Sequence, residues 1–162
     1  MTQRQAVDEA CFLLARTATQ WRRVLNQALE EPEMTAVQYL VLEATARIGD
    51  EGAPQQRIAD RIGMDKMTAS QVLKGLAAHG LVERRRPRGR RDYRIRITAK
   101  GKEMLAYARE YVDNAADAFW APAGKHLAEI NAALDRVFQH ACKRTADYTE
   151  TRRFPPPKKS RR

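Results

Sequence analysis

The chain has 162 residues, 43% hydrophobic and 31% charged, with a formal net charge of +10 and a mean hydropathy of −0.64. That length suits one folded unit with its own core and a tail, and no apolar run approaches the roughly 20 residues that cross a bilayer, which excludes a membrane protein. Cys11 and Cys142 are the only cysteines, too few for a disulfide scaffold and without zinc-site spacing; the polar, acid-containing start lacks a secretory signal, so the chain is expected in the cytoplasm with reduced thiols.

From about residue 5 to 29, Val7, Ala10, Leu14, Ala18, Trp21, Leu25 and Ala28 recur at three- and four-residue steps, which predicts a long amphipathic helix stopped before Pro32. Thr35 is the expected N-cap of a second helix carrying Val37, Leu40, Val41 and Ala44, and Gly49 its stop. After the turn Asp50-Glu51-Gly52, Pro54 opens a third helix of about two turns that Gly63 closes. Asp65 caps a fourth helix running through Lys66, Thr68, Gln71 and Lys74 to His79, with Val72, Leu73 and Leu76 inward and Gly80 just past its end.

Leu81 to Arg86 and Tyr93 to Thr98 flank Pro87-Arg88-Gly89, and the second segment alternates apolar and basic residues. This predicts an antiparallel hairpin with an arginine-rich tip. A fifth helix follows from about Lys100, with Leu105, Ala108, Val112, Ala115 and Phe119 on one face, until Ala121-Pro122-Ala123-Gly124 bends the chain. A sixth carries Leu127, Ile130, Leu134, Val137, Phe138 and Ala141. The Pro-rich, basic end is expected to be extended or disordered.

The positive charge is local. Residues 84–102 hold ten Arg/Lys against the single acid Asp92, a charge of +9, and residues 152–162 hold six bases and no acid. The remainder carries 14 bases and 19 acids, a charge of −5. A dense cationic stripe needs an anionic partner to offset its self-repulsion, and phosphate is the natural one. Two helices joined by about four residues and followed by a basic hairpin form a helix-turn-helix with a wing. A helix enters the major groove, where base edges distinguish all four pairs. Lys66, Thr68, Ser70, Gln71 and Lys74 present polar groups for that purpose. Arg88, Arg90 and Arg91 at the hairpin tip suit a narrow minor groove, and Arg84, Arg85, Arg86, Arg94 and Lys100 suit phosphates.

The order and spacing of these segments resemble the MarR family of transcriptional regulators. Met34 to Leu42 is similar to that family's second helix and Gln56 to Gly63 to its third, while Leu76-Ala77-Ala78-His79-Gly80-Leu81-Val82-Glu83-Arg84 matches its passage from reading helix into wing. Ile97-Thr98, six residues after Arg91, and then Gly101 close the resemblance. It implies a mainly α fold with a small β-hairpin wing: a winged helix-turn-helix lobe at 33–99, a helical dimerisation region at 5–32 and 100–149, and a basic tail at 150–162. It further implies a homodimer on a pseudo-palindromic double-stranded operator, a repressor released by a small aromatic or phenolic effector. By position, Lys66, Thr68, Ser70 and Gln71 fall in the major groove and Arg91 at the wing. Gly89 stands where the family often has an aspartate that orients this arginine, which predicts a looser, more cationic wing.

For regulation, Cys11-Phe12-Leu13-Leu14 resembles the segment carrying the reactive cysteine of organic-hydroperoxide-sensing relatives, with Cys142 as a partner across the dimer. Ala15 and Leu25 stand where those relatives have tyrosines, and a small packing cysteine is the other reading. Arg16, Trp21 and His79 are candidates for an effector pocket. A nonspecific architectural binder is the competing DNA-binding class. An enzyme is not expected, since His79, His126 and His140 lack partnered nucleophile spacing and no Gly-rich phosphate loop occurs; neither a cofactor nor a metal is expected.

Overall fold

The computed structural model describes residues 2–86 and 93–151 and divides into two compact units, Met1–Pro122 and Ala123–Arg162. In chain order the first unit holds α1 (Gln3–Ala28), α2 (Ala36–Ile48), α3 (Gln55–Arg61), α4 (Lys66–Ala78), β1 (Val82–Arg85), β2 (Arg94–Ile97) and α5 (Ala99–Trp120). Among the described residues no helix is long and apolar enough to cross a membrane.

Helices α1, α2, α4 and α5 each begin where a side chain accepts an orphan N–H group of the first turn. The first starts two residues earlier than its apolar period predicts. Thr2 Oγ1 accepts from the Gln5 N–H at 3.2 Å, and Gln5 Oε1 accepts from the Thr2 N–H at 2.8 Å, a reciprocal box spelled T-x-x-Q. Thr35 and Gln38 repeat it at α2. Asp65 caps α4, and Thr98 caps α5 by accepting from the Gly101 N–H at 3.0 Å. Gly49 (φ +91°) and Gly80 (φ +72°) end α2 and α4 in backbone conformations that favour glycine.

The core of this unit is built by α2, whose Val41 and Leu42 are fully buried, with Leu25 and Leu29 from the end of α1, Ile58 from α3, Leu73 and Leu76 from α4, and Leu105, Ala108 and Val112 from α5. Val72, expected inward, is only half-buried. The strands pair antiparallel with Val82 opposite Ile97 and Arg85 opposite Arg94. Their buried Val82, Ile95 and Ile97 close one edge of the core. Ile95 also bridges Ala53, exchanging backbone hydrogen bonds of 3.0 and 2.8 Å. That bridge presses β2 against Gly52, where a Cβ would lie 2.6 Å from the Ile95 carbonyl oxygen. Gly101 is tighter still: a Cβ there would meet the Leu81 carbonyl oxygen at 2.0 Å, so α5 can start against the wing only with glycine at this position.

Trp21 packs on Phe119 with ring centroids 5.1 Å apart, joining α1 to the end of α5. A 3-10 segment follows at Ala121–His126, interrupted by the non-helical Gly124, which is the bend expected from Ala121 to Gly124. In the second unit α6 spans Leu127–Thr151. Glu150 and Thr151, expected in the tail, continue the helix, and residues 152–162 lie outside the described residues. Within their own units, Phe12, Leu13 and Leu14 of α1 and Leu134, Val137 and Phe138 of α6 leave their apolar side chains exposed.

Candidate nucleic-acid interface

Helices α3 and α4 are joined by residues 62–65, and Gln55 at the start of α3 fixes the pair by donating from Nε2 to the Lys66 carbonyl at 3.2 Å. The first turn of α4 is set by Asp65, whose Oδ1 accepts from the Thr68 N–H at 2.9 Å. Hydrogen bonds from Thr68 hold the Asp65 carboxyl below its ordinary pKa, so it is ionised at neutral pH and complements the helix N-terminus. Ala69, Leu73 and Leu76 bury one side of α4. At 100° per residue, Met67, Gln71, Lys74 and Ala78 form a line on the opposite side, and all four are exposed. Lys66 and Thr68 flank that line exposed, and Ser70 is half-buried. Of the expected groove-facing residues, Gln71 and Lys74 thus share this solvent face, Lys66 and Thr68 stand on either side of it, and Ser70 is half-buried. Met67 belongs with them and was not among those expected from sequence; its placement opposite the Ala69-Leu73-Leu76 period was the available signal.

Between α4 and the hairpin lies a cavity of about 80 Å³, walled by Leu73, Val82 and Ile95 and rimmed by Ser70, Lys74 and Arg84. The wing's cations divide by what they touch. Arg84 stacks on the Tyr93 ring at 4.1 Å and Arg86 lies 5.7 Å from the same ring, so both guanidinium groups are carried on an aromatic platform while staying exposed. Glu83 instead binds Arg96, its neighbour across the strands, and Arg85 at 3.2 Å; the Arg96 hydrogen bond holds its carboxyl below the ordinary range. Arg88, Arg90 and Arg91 lie outside the described residues.

Two residues expected at phosphates have other employment. Arg94 Nη1 donates to the Gly52 carbonyl at 2.8 Å and approaches the Glu51 carbonyl at 3.5 Å, with its Nε buried. Lys100 Nζ donates to the His79 carbonyl at 3.0 Å, satisfying the end of α4. Arg94 thus ties β2 to the turn before α3, and Lys100 ties α5 to the end of α4. Lys102 pairs with Asp50 at 2.7 Å and lowers that carboxyl's pKa, adding a third tie of the same kind.

Behind the interface, Glu43 links α2 to α5. One carboxylate oxygen accepts from Arg47 Nε at 2.6 Å, and the other from Arg109 Nη2 at 2.6 Å and Nε at 3.1 Å. Burial pushes the Glu43 carboxyl up, but these hydrogen bonds outweigh it and leave the pKa below its ordinary value. Tyr39, buried beside this group, is shifted upward by burial and by the Glu43 charge.

Each expected regulatory residue has its own surroundings within its unit. Cys11 is exposed on α1, and Cys142 is half-buried on α6 in the second unit. The Arg16 guanidinium lies 5.3 Å from the Phe12 ring, and Trp21 is occupied by Phe119. A cavity of about 180 Å³ between Met34, Gln38, Leu76, His79 and Met104 is lined by His79 but by neither Arg16 nor Trp21. His79 Nδ1 sits 2.8 Å from the Gly75 carbonyl, a local contact at the end of its own helix. Among the described residues no group of three His, Cys, Asp or Glu is placed to hold a metal ion.

A helix, a four-residue turn and a second helix with a bare polar face, followed by a cationic antiparallel pair, define a winged helix-turn-helix of the DNA-binding class. The sequence profile of the MarR family matches residues 33–92, which include α2, α3, α4 and β1 and stop short of β2. The chain is similar to the uncharacterized HTH-type transcriptional regulator YdcH of Bacillus subtilis, with 29% identity over 117 residues, covering 70% of this chain and 80% of that one. It is 34% identical over 102 residues to the HTH-type transcriptional regulator TtmR of Methylorubrum extorquens, covering 62% of this chain and about half, 51%, of the relative. A crystal structure of a MarR-family transcriptional regulator from Rhodococcus sp. RHA1 superimposes with a TM-score of 0.69 at 26% identity, covering 81% of this chain and 91% of that one. Residues 33–92 thus match the MarR family, and the chain is folded like the solved transcriptional regulator of that family.

Proposed function

We propose that the chain acts as a homodimeric repressor that binds a pseudo-palindromic double-stranded operator, with α4 in the major groove and the wing against the backbone and minor groove. The observation that carries this reading is the exposed line on α4, where Gln71 and Lys74 stand opposite a fully apolar buried side. In this reading Lys66, Thr68, Ser70 and Gln71 contact base edges, Gln71 by a bidentate bond to adenine. Lys74, Arg84 and Arg86 contact phosphate, and Arg88, Arg90 and Arg91 of the wing tip supply minor-groove or further phosphate contacts. The bare apolar side chains of α1 and α6 support dimerisation through residues 5–32 and 100–149, since side chains such as Phe12 and Val137, each 58% exposed, are stabilised by burial. Release by a small aromatic or phenolic effector completes the reading. The cavity beside His79 supports it, with apolar walls at one end of the reading helix.

Selection of bound sequences from random DNA, followed by footprinting, tests the proposal. A recovered pseudo-palindrome with half-sites about one helical turn, roughly 10 bp, apart is expected. Recovery of no preferred sequence would favour a nonspecific architectural binder. A second reading, hydroperoxide sensing by Cys11, is favoured only by that thiol's exposure. It requires that organic hydroperoxide release the wild type from DNA and leave Cys11→Ser bound.

A further inference from the structure

The large apolar side chains left bare on α1 and α6 come in groups, Phe12, Leu13 and Leu14 on one and Leu134, Val137 and Phe138 on the other, but Met67 stands alone among polar neighbours. It is 71% exposed, the highest value among the exposed large hydrophobic residues described. Its neighbours on that surface are Lys66, Thr68 and Gln71, so no apolar patch surrounds it to recruit a protein partner. It occupies the first turn of α4, on the same line as Gln71 and Lys74 and opposite the buried Ala69, Leu73 and Leu76. Residues in that turn are the ones that reach base edges when such a helix docks.

The major groove offers one apolar recognition group, the C5-methyl of thymine. Methionine is suited to it, being unbranched, adaptable and polarizable. We infer that Met67 is a specificity-determining residue that covers a thymine methyl in each half-site. Gln71 lies four residues further along, about 6 Å by the helical rise. The thymine is therefore one or two base pairs, at 3.4 Å each, from the base that Gln71 contacts. The inference rests on α4 being the reading helix, and it adds an apolar contact to the polar contacts proposed above.

The test uses the full chain and an operator recovered by selection, with each thymine replaced in turn by deoxyuridine in both half-sites, which deletes only the methyl. Wild-type protein should lose about fourfold in affinity per half-site at one thymine position, the value of burying one methyl-sized group. Met67→Ala should bind the thymine and uracil duplexes equally, while Gln71→Ala keeps the difference. Met67→Gln, of similar length, should also lose it. Thermal melts should be unchanged, because Met67 makes no part of the core. A wild type indifferent to every uracil, or a penalty that persists in Met67→Ala while Gln71→Ala still relaxes sequence preference, overturns the Met67 assignment alone. If Gln71→Ala weakens operator and scrambled DNA equally, the reading helix is misassigned and the inference falls with it.

Discussion

Helices α1 and α4 are both amphipathic, yet they expose opposite kinds of surface. Helix α4 buries Ala69, Leu73 and Leu76 and shows solvent a face of Lys66, Thr68, Gln71 and Lys74 with one methionine among them. Helix α1 buries Leu25 near its end, while Phe12, Leu13 and Leu14 remain bare further back. The first surface suits a wet, anionic partner and the second a dry one. What separates them is which half of the amphipathic pattern the fold has already consumed: in α4 the apolar half, in the early turns of α1 neither half.

The largest expected effect breaks the α1 side of this comparison. Leu14→Glu puts a charge among the bare apolar side chains of each copy, and with two copies per dimer the loss should be on the order of 3 kcal/mol or more. Sedimentation should show monomer at micromolar concentration, and operator affinity should fall more than a hundredfold. A dimer that survives the substitution would remove α1 from the interface.

A smaller effect separates cations that bind DNA from cations that hold the wing. Arg94 donates to the carbonyls of the turn before α3, whereas Arg84 lies exposed on Tyr93. Arg84→Ala should lower the slope of log affinity against log salt by about one, the signature of one neutralised phosphate. Arg94→Ala should weaken binding while leaving that slope unchanged, and should lower the melting temperature. Equal slope changes in both variants would mean that Arg94 also reaches phosphate.

This division shows where the sequence was legible. The caps Thr35 and Asp65, the stops Gly49 and Gly80, the hairpin and the bend at Gly124 all follow from local chemistry and could be read locally. The T-x-x-Q box at Thr2 was equally local, but the apolar period of α1 begins later and drew the boundary inward. The roles of Arg94, Arg96, Lys100 and Lys102 were not legible. Each depends on a group distant in sequence: Gly52, Glu83, the His79 carbonyl and Asp50. A run of ten bases reads as one phosphate-binding stripe until those partners are known. Met67 was hidden for another reason: an apolar residue in an amphipathic helix is assigned to the core by default, and only its angle relative to Leu73 and Leu76 places it on the outside.

The smallest effect concerns the cap that starts α4. The Asp65 pKa is lowered in the folded chain by hydrogen bonds from Thr68, so its stabilising contribution is present above the unfolded aspartate pKa and disappears as pH falls through the folded value. Melting temperatures of Asp65→Asn, which keeps a capping oxygen, should therefore change less than those of the wild type as pH falls below the ordinary aspartate range. An identical pH profile for both would show that the cap carries no such linkage.

The comparison rests on α4 reading bases, and Gln71→Ala tests that most directly. The variant and the wild type are titrated at several salt concentrations on operator and on scrambled DNA. Loss of the bidentate contact should cost about 1–3 kcal/mol on the operator and almost nothing on scrambled DNA, with the salt slope unchanged. An equal loss on both DNAs would contradict the account, because the exposed face of α4 would then be holding the backbone instead of reading the sequence.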